Sequence, residues 1–260
     1  MNPESIQRHG DELHAALLSR QPVAPLTERE PDITIDDAYR IQLRMIGHRL
    51  ARGEIVVGKK IGVTSRAVQQ MLQVFQPDFG HLLSGMVCAE GEPVPVNTLI
   101  APRAEAEVAF VLKQDLDGPG VTAADVLRAT DFVLPCFEIV DSRIRDWKIR
   151  IQDTIADNAS CGVFVLGGQP RSLRGLDLAV AGMVVEKNGD IVSTSAGASV
   201  QGSPVNAVAW LANTLGALGI PLKAGEVILS GSQSPLMPAA AGDSFSCSVG
   251  GLGGCAVRFC

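Results

Sequence analysis

Aromatic side chains are scarce in this 260-residue chain, at 4% of the total, and no basic run offsets its formal net charge of −6. A nucleic-acid surface needs clustered Lys and Arg and gains from stacking rings, so that class is excluded as the main function. No apolar stretch reaches the roughly 18 residues that a bilayer-spanning helix requires. The segment from Met1 to Arg20 is polar and amphipathic, with Glu4, Asp11 and Glu12, and has no apolar signal-peptide core. No membrane attachment is therefore expected, and a cytoplasmic location is. The six cysteines form no Cys-x-x-Cys pair and have no zinc-like spacing with the four histidines, so neither a disulfide framework nor a structural zinc is expected. His9, His14, His48 and His81 all fall in the first third, which leaves a serine–histidine mechanism little to stand on. The run Gly250-Gly251-Leu252-Gly253-Gly254 lacks the lysine of a phosphate loop and precedes a strand, so it reads as a tight turn.

What is present suits a globular enzyme. Hydrophobic residues make up 46% and charged residues 19%, enough to bury a full core at this length. Residues 1–54 read as a helical portion. Ile6–Leu18 is amphipathic, and Thr34, Asp36 and Asp37 supply N-cap chemistry for a helix running to about Arg52, stopped by Gly53. Residues 55–260 read as a β-rich catalytic domain. Candidate strands lie at 55–57, 61–63, 107–112, 132–140, 162–166, 181–186, 191–194, 227–230, 244–249 and 255–259, with a hairpin at Asn188-Gly189. Helices are expected at 67–72, 123–130 and 204–218. Strands outnumber helices there and do not alternate with them, which favours an α+β barrel or roll.

The most informative local pattern is Glu105-Ala106-Glu107 opening an apolar strand, because strand residues i and i+2 share a face. Two carboxylates that close repel unless something positive lies between them. Glu138 sits within the apolar run Val133–Val140, where an acid is costly to bury without a partner. Three oxygen donors without a nearby His or Cys suit Mg²⁺ or Mn²⁺. Spacing alone leaves a second reading open, in which Glu105 and Glu107 are rim charges and Glu138 pairs with an arginine such as Arg143. Of Lys59 and Lys60, alternation would turn one inward, as a carboxylate binder or proton donor, and leave the other solvated. Gln76–Gly80 reads as a turn that could hold Asp78 at a cavity mouth. Asp153–Gly162 is a polar cluster entering a strand. Ser230-Gly231-Ser232, after a strand, could present amides and hydroxyls to an anion.

Taken together, GKKIGVTS (58–65), QPDFG (76–80), PRAEAEVAFVL (102–112), FEIVDSRIRDWKI (137–149) and DTIADNAS (153–160) make the chain resemble the 2-hydroxypenta-2,4-dienoate hydratase (2-oxopent-4-enoate hydratase) family. That family lies within the fumarylacetoacetate hydrolase-like superfamily, and the similarity runs through almost the whole chain. The resemblance implies a mixed β-roll core with an N-terminal helical portion, and a divalent cation held by Glu105, Glu107 and Glu138. It also implies acid/base roles for Lys60 and Asp78, and places Ser160 in the same pocket. The reaction implied is addition of water to a small 2-hydroxydienoate in meta-cleavage breakdown of aromatic compounds, by a homo-oligomer that could associate with other enzymes of its pathway. A related branch that decarboxylates 4-oxalocrotonate is the alternative, but it departs from GKKIGVTS and QPDFG. A non-catalytic stabilising subunit is the second alternative, disfavoured because a scaffold has no use for a costly buried acid cluster.

Overall fold

The computed structural model describes residues 1–65, 69–70, 74 and 76–260. Three helices open the chain: α1 (Pro3–Ser19), α2 (Leu26–Arg29) and α3 (Ile35–Leu50). The Asn2 side chain accepts from the Ser5 N–H to cap α1. Thr34 and Asp37 form a reciprocal capping box on α3, in line with the N-cap chemistry of the sequence. The helix expected over Ala67–Leu72 lies outside the described residues, apart from Gln69 and Gln70, which are helical.

Two sheets follow. The larger holds β1 (Val56–Gly62), β2 (Asp78–Leu83), β3 (Val87–Cys88), β5 (Arg103–Leu112), β6 (Thr130–Val140), β7 (Cys161–Leu166), β10 (Val227–Leu229) and β11 (Met237–Pro238). Its order is β2-β1-β10-β5-β6-β7-β3, with β11 also paired to β5. The smaller holds β4 (Pro93–Val94), β8 (Gly182–Lys187), β9 (Asp190–Ala196), β12 (Ser244–Val249) and β13 (Gly253–Phe259), in the order β4-β13-β12-β8-β9. Pairings β1–β10, β3–β7 and β4–β13 are parallel, whereas β5–β6 and β12–β13 are among the antiparallel ones. Further helices among the described residues are α4 (Ala123–Ala129), α5 (Ile151–Ala156) and α6 (Pro204–Gly216). This mixed α+β roll with helices at its N-terminal end is the fold class the sequence implies.

Alternation along β5 and β6 decides where the site can be. Ala104, Ala106, Val108 and Phe110 of β5, with Phe137 and Ile139 of β6, enter the main core, which also takes Phe245, Cys247 and Val257 from the smaller sheet. Glu105, Glu107 and Glu138 hold the intervening positions and therefore project from the opposite face. That face is shared by Ala109 and Cys136, which pack with Ile46 of α3 and with Leu82, Leu83 and Phe164. A further cluster joins α1, α2 and α3 to Ile144, Ile151 and Ile155, fixing the helices over the same region. The acids thus lie between the large sheet and the N-terminal helices.

Three local expectations change. The strand expected from Glu107 begins at Arg103, so both glutamates are fully inside it. Gln76–Gly80 is not simply a turn, because Asp78 is the first residue of β2. Asp153–Ser160 folds as the C-terminal part of α5 followed by a 3₁₀ turn before β7.

Candidate active site

Glu105 and Glu138 face each other directly across the β5–β6 pair, and Glu107 lies one alternation further along β5. One carboxylate oxygen from each lies within 4.8 Å of the others. Glu107 and Glu138 are buried and Glu105 is half-buried. Few protein groups balance this charge. Glu107 Oε2 accepts from the Gly231 N–H at 2.8 Å. Glu138 Oε1 lies 3.1 Å from Lys60 Nζ, yet neither Glu138 oxygen accepts a well-formed hydrogen bond among the described residues. Burial, reinforced by the Glu138 charge, pushes the Glu105 carboxyl up to about 7 and the Glu107 carboxyl well above the usual range. Orphaned oxygens in an all-oxygen donor set are what a hard divalent cation requires, and three ligands leave octahedral positions open. The residues present fit such an ion. The rim-charge reading does not fit, since Glu107 and Glu138 are inside and Arg143 pairs with Asp157.

Lys60 and Asp78 reach the same space from β1 and β2. Antiparallel pairing puts Gly62 opposite Asp78 and Lys60 opposite Gly80. A Cβ on Gly62 would overlap Asp78 Oδ1 and come within 3.5 Å of Lys60 Nζ, so only glycine leaves room for both groups. Asp78 is 1% exposed, and its Oδ1 has no hydrogen-bond partner among the described residues. Burial raises the Asp78 carboxyl to about 6 against the pull of Lys60. For Lys60, burial works against the charge, but Glu138 and Asp78 outweigh it and hold the ammonium above its ordinary range. Lys59 points the other way, as alternation requires, but it is not solvated: it is 4% exposed and ion-paired with Glu226.

Ser160 arrives on a strained loop. Asn158, Ala159 and Ser160 all have positive φ, at 54°, 49° and 53°, although none is glycine. The surroundings hold this conformation in place. The Asn158 side chain accepts from the His81 N–H (2.7 Å) and donates to the His81 carbonyl (2.9 Å). Arg143 binds Asp157 and donates to the Cys161 carbonyl. Ser160 Oγ lies 3.2 Å from Thr154 Oγ1. Ser230 and Gly231 are placed differently. The Ser230 hydroxyl donates to the Val108 carbonyl at 2.7 Å, and the anion held by the Gly231 amide is the protein's own Glu107.

Residues not singled out from sequence also border the site. Tyr39 of α3 stacks on Phe79 with ring centroids 4.3 Å apart, and burial and the Asp78 charge raise its hydroxyl well above the ordinary tyrosine value. Cys161, next to Ser160, is buried, and burial pushes its thiol upward with Glu138 adding to the effect. In the sequence Cys161 is marked only as a member of the polar cluster Asp153–Gly162 that enters a strand.

Residues 58–260 match the family described as fumarylacetoacetate (FAA) hydrolase C-terminal. The 2-hydroxyhexa-2,4-dienoate hydratase of Comamonas testosteroni is 59% identical over 256 residues, covering 98% of this chain and 97% of that protein. The 2-hydroxypent-2,4-dienoate hydratase of Pseudomonas putida is 63% identical over 221 residues, covering 85% of this chain and 100% of that protein. Among solved structures, 4-oxalocrotonate decarboxylase from Pseudomonas putida G7, complexed with magnesium and adipate, superposes with a TM-score of 0.96. It is 36% identical, and the match covers 100% of this chain and 99% of that one.

Proposed function

The chain belongs to the fumarylacetoacetate hydrolase family, and on that footing we propose that it is a divalent-cation-dependent hydratase. It adds water to 2-hydroxypenta-2,4-dienoate to give 4-hydroxy-2-oxopentanoate, in the meta-cleavage breakdown of aromatic compounds. The observation that carries the reading is the set of three convergent carboxylates, two of them buried, with Glu138 left without a hydrogen bond beside Lys60. The hydratases at 59% and 63% identity support this activity over that of the decarboxylase at 36%.

Glu105, Glu107 and Glu138 would hold Mg²⁺ or Mn²⁺, the ions the all-oxygen set suits. Such an ion supplies a Lewis acid for the charge that gathers on the substrate's 2-oxygen. The remaining work falls to the chain's own groups. Lys60 Nζ and Asp78 Oδ1 flank one small space, and they are the pair that moves protons. The dienol loses its hydroxyl proton and gains one at C5, leaving a double bond between C3 and C4. Water then adds with its hydroxyl on C4 and its proton on C3. Ser160, held by its strained loop, lines the pocket, and Gly231 serves by fixing Glu107 rather than by meeting substrate. Ser230 acts at one remove, anchoring the Gly231 loop to β5. Among the described residues no helix is long and apolar enough to cross a membrane, in keeping with a cytoplasmic enzyme. Exposed Val180, Ile191 and Val192 offer apolar surface for a homo-oligomer, and for association with pathway partners.

The test is an ultraviolet assay of EDTA-stripped protein on freshly generated 2-hydroxypenta-2,4-dienoate, with and without Mg²⁺ or Mn²⁺. Cation-dependent loss of the dienol absorbance with 4-hydroxy-2-oxopentanoate as product is the expected result. Carbon dioxide release from 4-oxalocrotonate without dienoate turnover would move the chain to the decarboxylase reaction.

A further inference from the structure

The strand that carries Asp78 lies at an edge. β2 ends the order of the larger sheet, and β1 is its strand partner. All six of its residues are buried, so backbone N–H and C=O groups on its outer edge would be costly to leave unmet. Side chains take the place of a further strand there. Gln42 of α3 donates from Nε2 to the Phe79 carbonyl at 3.0 Å. At the next alternate residue Asn158 accepts from the His81 N–H and donates to the His81 carbonyl, as a neighbouring strand would. Gln42 reaches further. Its Nε2 donates a second time, at 2.8 Å, to the Ile155 carbonyl of α5, and its Oε1 lies 3.1 Å from His81 Nδ1. The two carbonyls fix which end of this amide is the NH₂. Gln42 has no exposed surface, and Tyr39, one turn earlier on α3, stacks on the Phe79 ring. The turn that delivers Ser160 packs on the same edge: a Cβ on Gly80 would meet the Asn158 carbonyl oxygen at 2.5 Å, so the close approach requires glycine.

Resting on the hydratase reading, we infer that Gln42 is a positioning residue, which sets the Asp78 strand against the α5 turn bearing Ser160. It ties three elements at one point: α3, the residue after Asp78 on β2, and the last turn of α5, whose Thr154 touches Ser160. Through Gln42 the N-terminal helices act on proton transfer. The glutamates are held separately. They stand on β5 and β6, and β1 and β10 lie between β5 and β2. Loss of the Gln42 amide therefore shifts Asp78 against Lys60 and leaves the three carboxylates in place. Proton transfer depends steeply on such alignment, and a misplacement of about 1 Å costs roughly 100-fold in rate.

The experiment compares wild type with Gln42→Met, Gln42→Glu and Asn158→Asp, with circular dichroism showing which are folded. Q42M keeps the length of the side chain and loses its hydrogen bonds. Q42E keeps the acceptor facing His81 but offers no N–H to the two carbonyls, and N158D drops only the donor to the His81 carbonyl. On 2-hydroxypenta-2,4-dienoate with Mg²⁺, kcat should fall roughly 10- to 100-fold in Q42M and Q42E, and less in N158D. KM and the calorimetric Mg²⁺ affinity should stay within about twofold of wild type. A second readout isolates the proton step: exchange of the C3 hydrogens of saturating 2-oxopentanoate in D₂O with Mg²⁺, followed by proton NMR. A C3 proton leaves to the protein and a solvent deuteron replaces it, so this rate should fall in step with kcat. A residue that only stabilised the fold would lower the melting temperature and leave both rates per folded molecule unchanged. If both rates stay within about twofold of wild type in the folded variants, Gln42 does not position the proton-transfer pair. A loss of Mg²⁺ affinity as large as the loss of kcat would also overturn the role, because the damage would then lie at the glutamates. Should Q42M fail to fold, Q42E and N158D decide by the same criteria. A wild-type protein that neither hydrates the dienoate nor exchanges C3 would bring down the hydratase reading itself, whereas an active enzyme with unmoved variants sinks only the role of Gln42.

Discussion

Asp157 and Glu138 are both carboxylates with no exposed surface, 19 positions apart in the chain, and they are treated in opposite ways. Asp157 is fully engaged: Arg143 binds it through its guanidinium and its backbone N–H (2.9 Å), and the Ser142 hydroxyl donates at 3.2 Å. Arg143 also donates to the carbonyls of Asp141, Cys161 and Asp157. Glu138 has one ammonium nearby, two further glutamates crowding it, and no well-formed hydrogen bond among the described residues. Burying a charge costs several kcal/mol unless it is compensated. A closed network like that of Asp157 is a structural element. An open one like that of Glu138 is the arrangement that the proposed divalent cation would complete. The closed network also serves the open one, because it fixes the left-handed turn that delivers Ser160.

The comparison breaks most visibly on the closed side. Arg143→Leu removes the guanidinium that binds Asp157 and strands a buried carboxylate, so we expect a loss of about 3–5 kcal/mol in denaturant unfolding. A loss below about 1 kcal/mol would mean that Asp157 can protonate or find water, and that the contrast with Glu138 is smaller than described.

Protonation sharpens the contrast at its border. His81, whose backbone is gripped by Asn158, is 6% exposed, and its Nδ1 lies 3.1 Å from Gln42 Oε1. Burial, aided by the Lys59 charge, lowers its pKa to about 4 from an ordinary 6.5. The unfolded chain therefore binds the proton first. Stability contributed by neutral His81 is full above about pH 6.5 and is lost as pH falls toward about 4, amounting to about 3 kcal/mol. Asp157, raised by burial to about 6, shifts stability in the opposite sense over part of that range. The check is accordingly the difference between wild type and His81→Gln across pH, which isolates the histidine. A difference that stays flat from pH 7 to 4 would remove His81 from the account.

How much of this could be read in advance differs between the two networks. Glu138 stood out because an acid interrupts an apolar strand, and Glu105-x-Glu107 because alternation puts both on one face. Both signals are local and survive folding unchanged. Nothing local marks Asp157 as Arg143's partner, and Lys59 meets Glu226 only because β1 and β10, 167 positions apart along the chain at that pair, lie side by side. Gln76–Gly80 has the composition of a turn, yet tertiary pairing with β1 draws Asp78 into a strand. The roll itself was legible as a surplus of strands without regular helical alternation, but strand order was not, since pairings such as β4 with β13 (Pro93 opposite Arg258) join strands 165 positions apart in the chain.

The smallest effect belongs at the surface, where neither treatment applies. Arg128 and Asp125 form an exposed ion pair at i,i+3 on α4, with Arg128 73% exposed. Arg128→Ala should cost less than about 0.5 kcal/mol. A larger loss would show that ion pairing stabilises this fold without burial, and so weaken the inference drawn from Asp157.

The open network is tested most directly by calorimetric titration of Mg²⁺ and Mn²⁺ into EDTA-stripped wild type and Glu138→Gln, with circular dichroism showing that both are folded. The account predicts one site per chain in wild type and an affinity reduced more than about 100-fold in E138Q, the upper end of what a lost outer-shell contact costs. Equal affinity in the two proteins, or no binding by wild type, would contradict it and leave the three glutamates without an explanation.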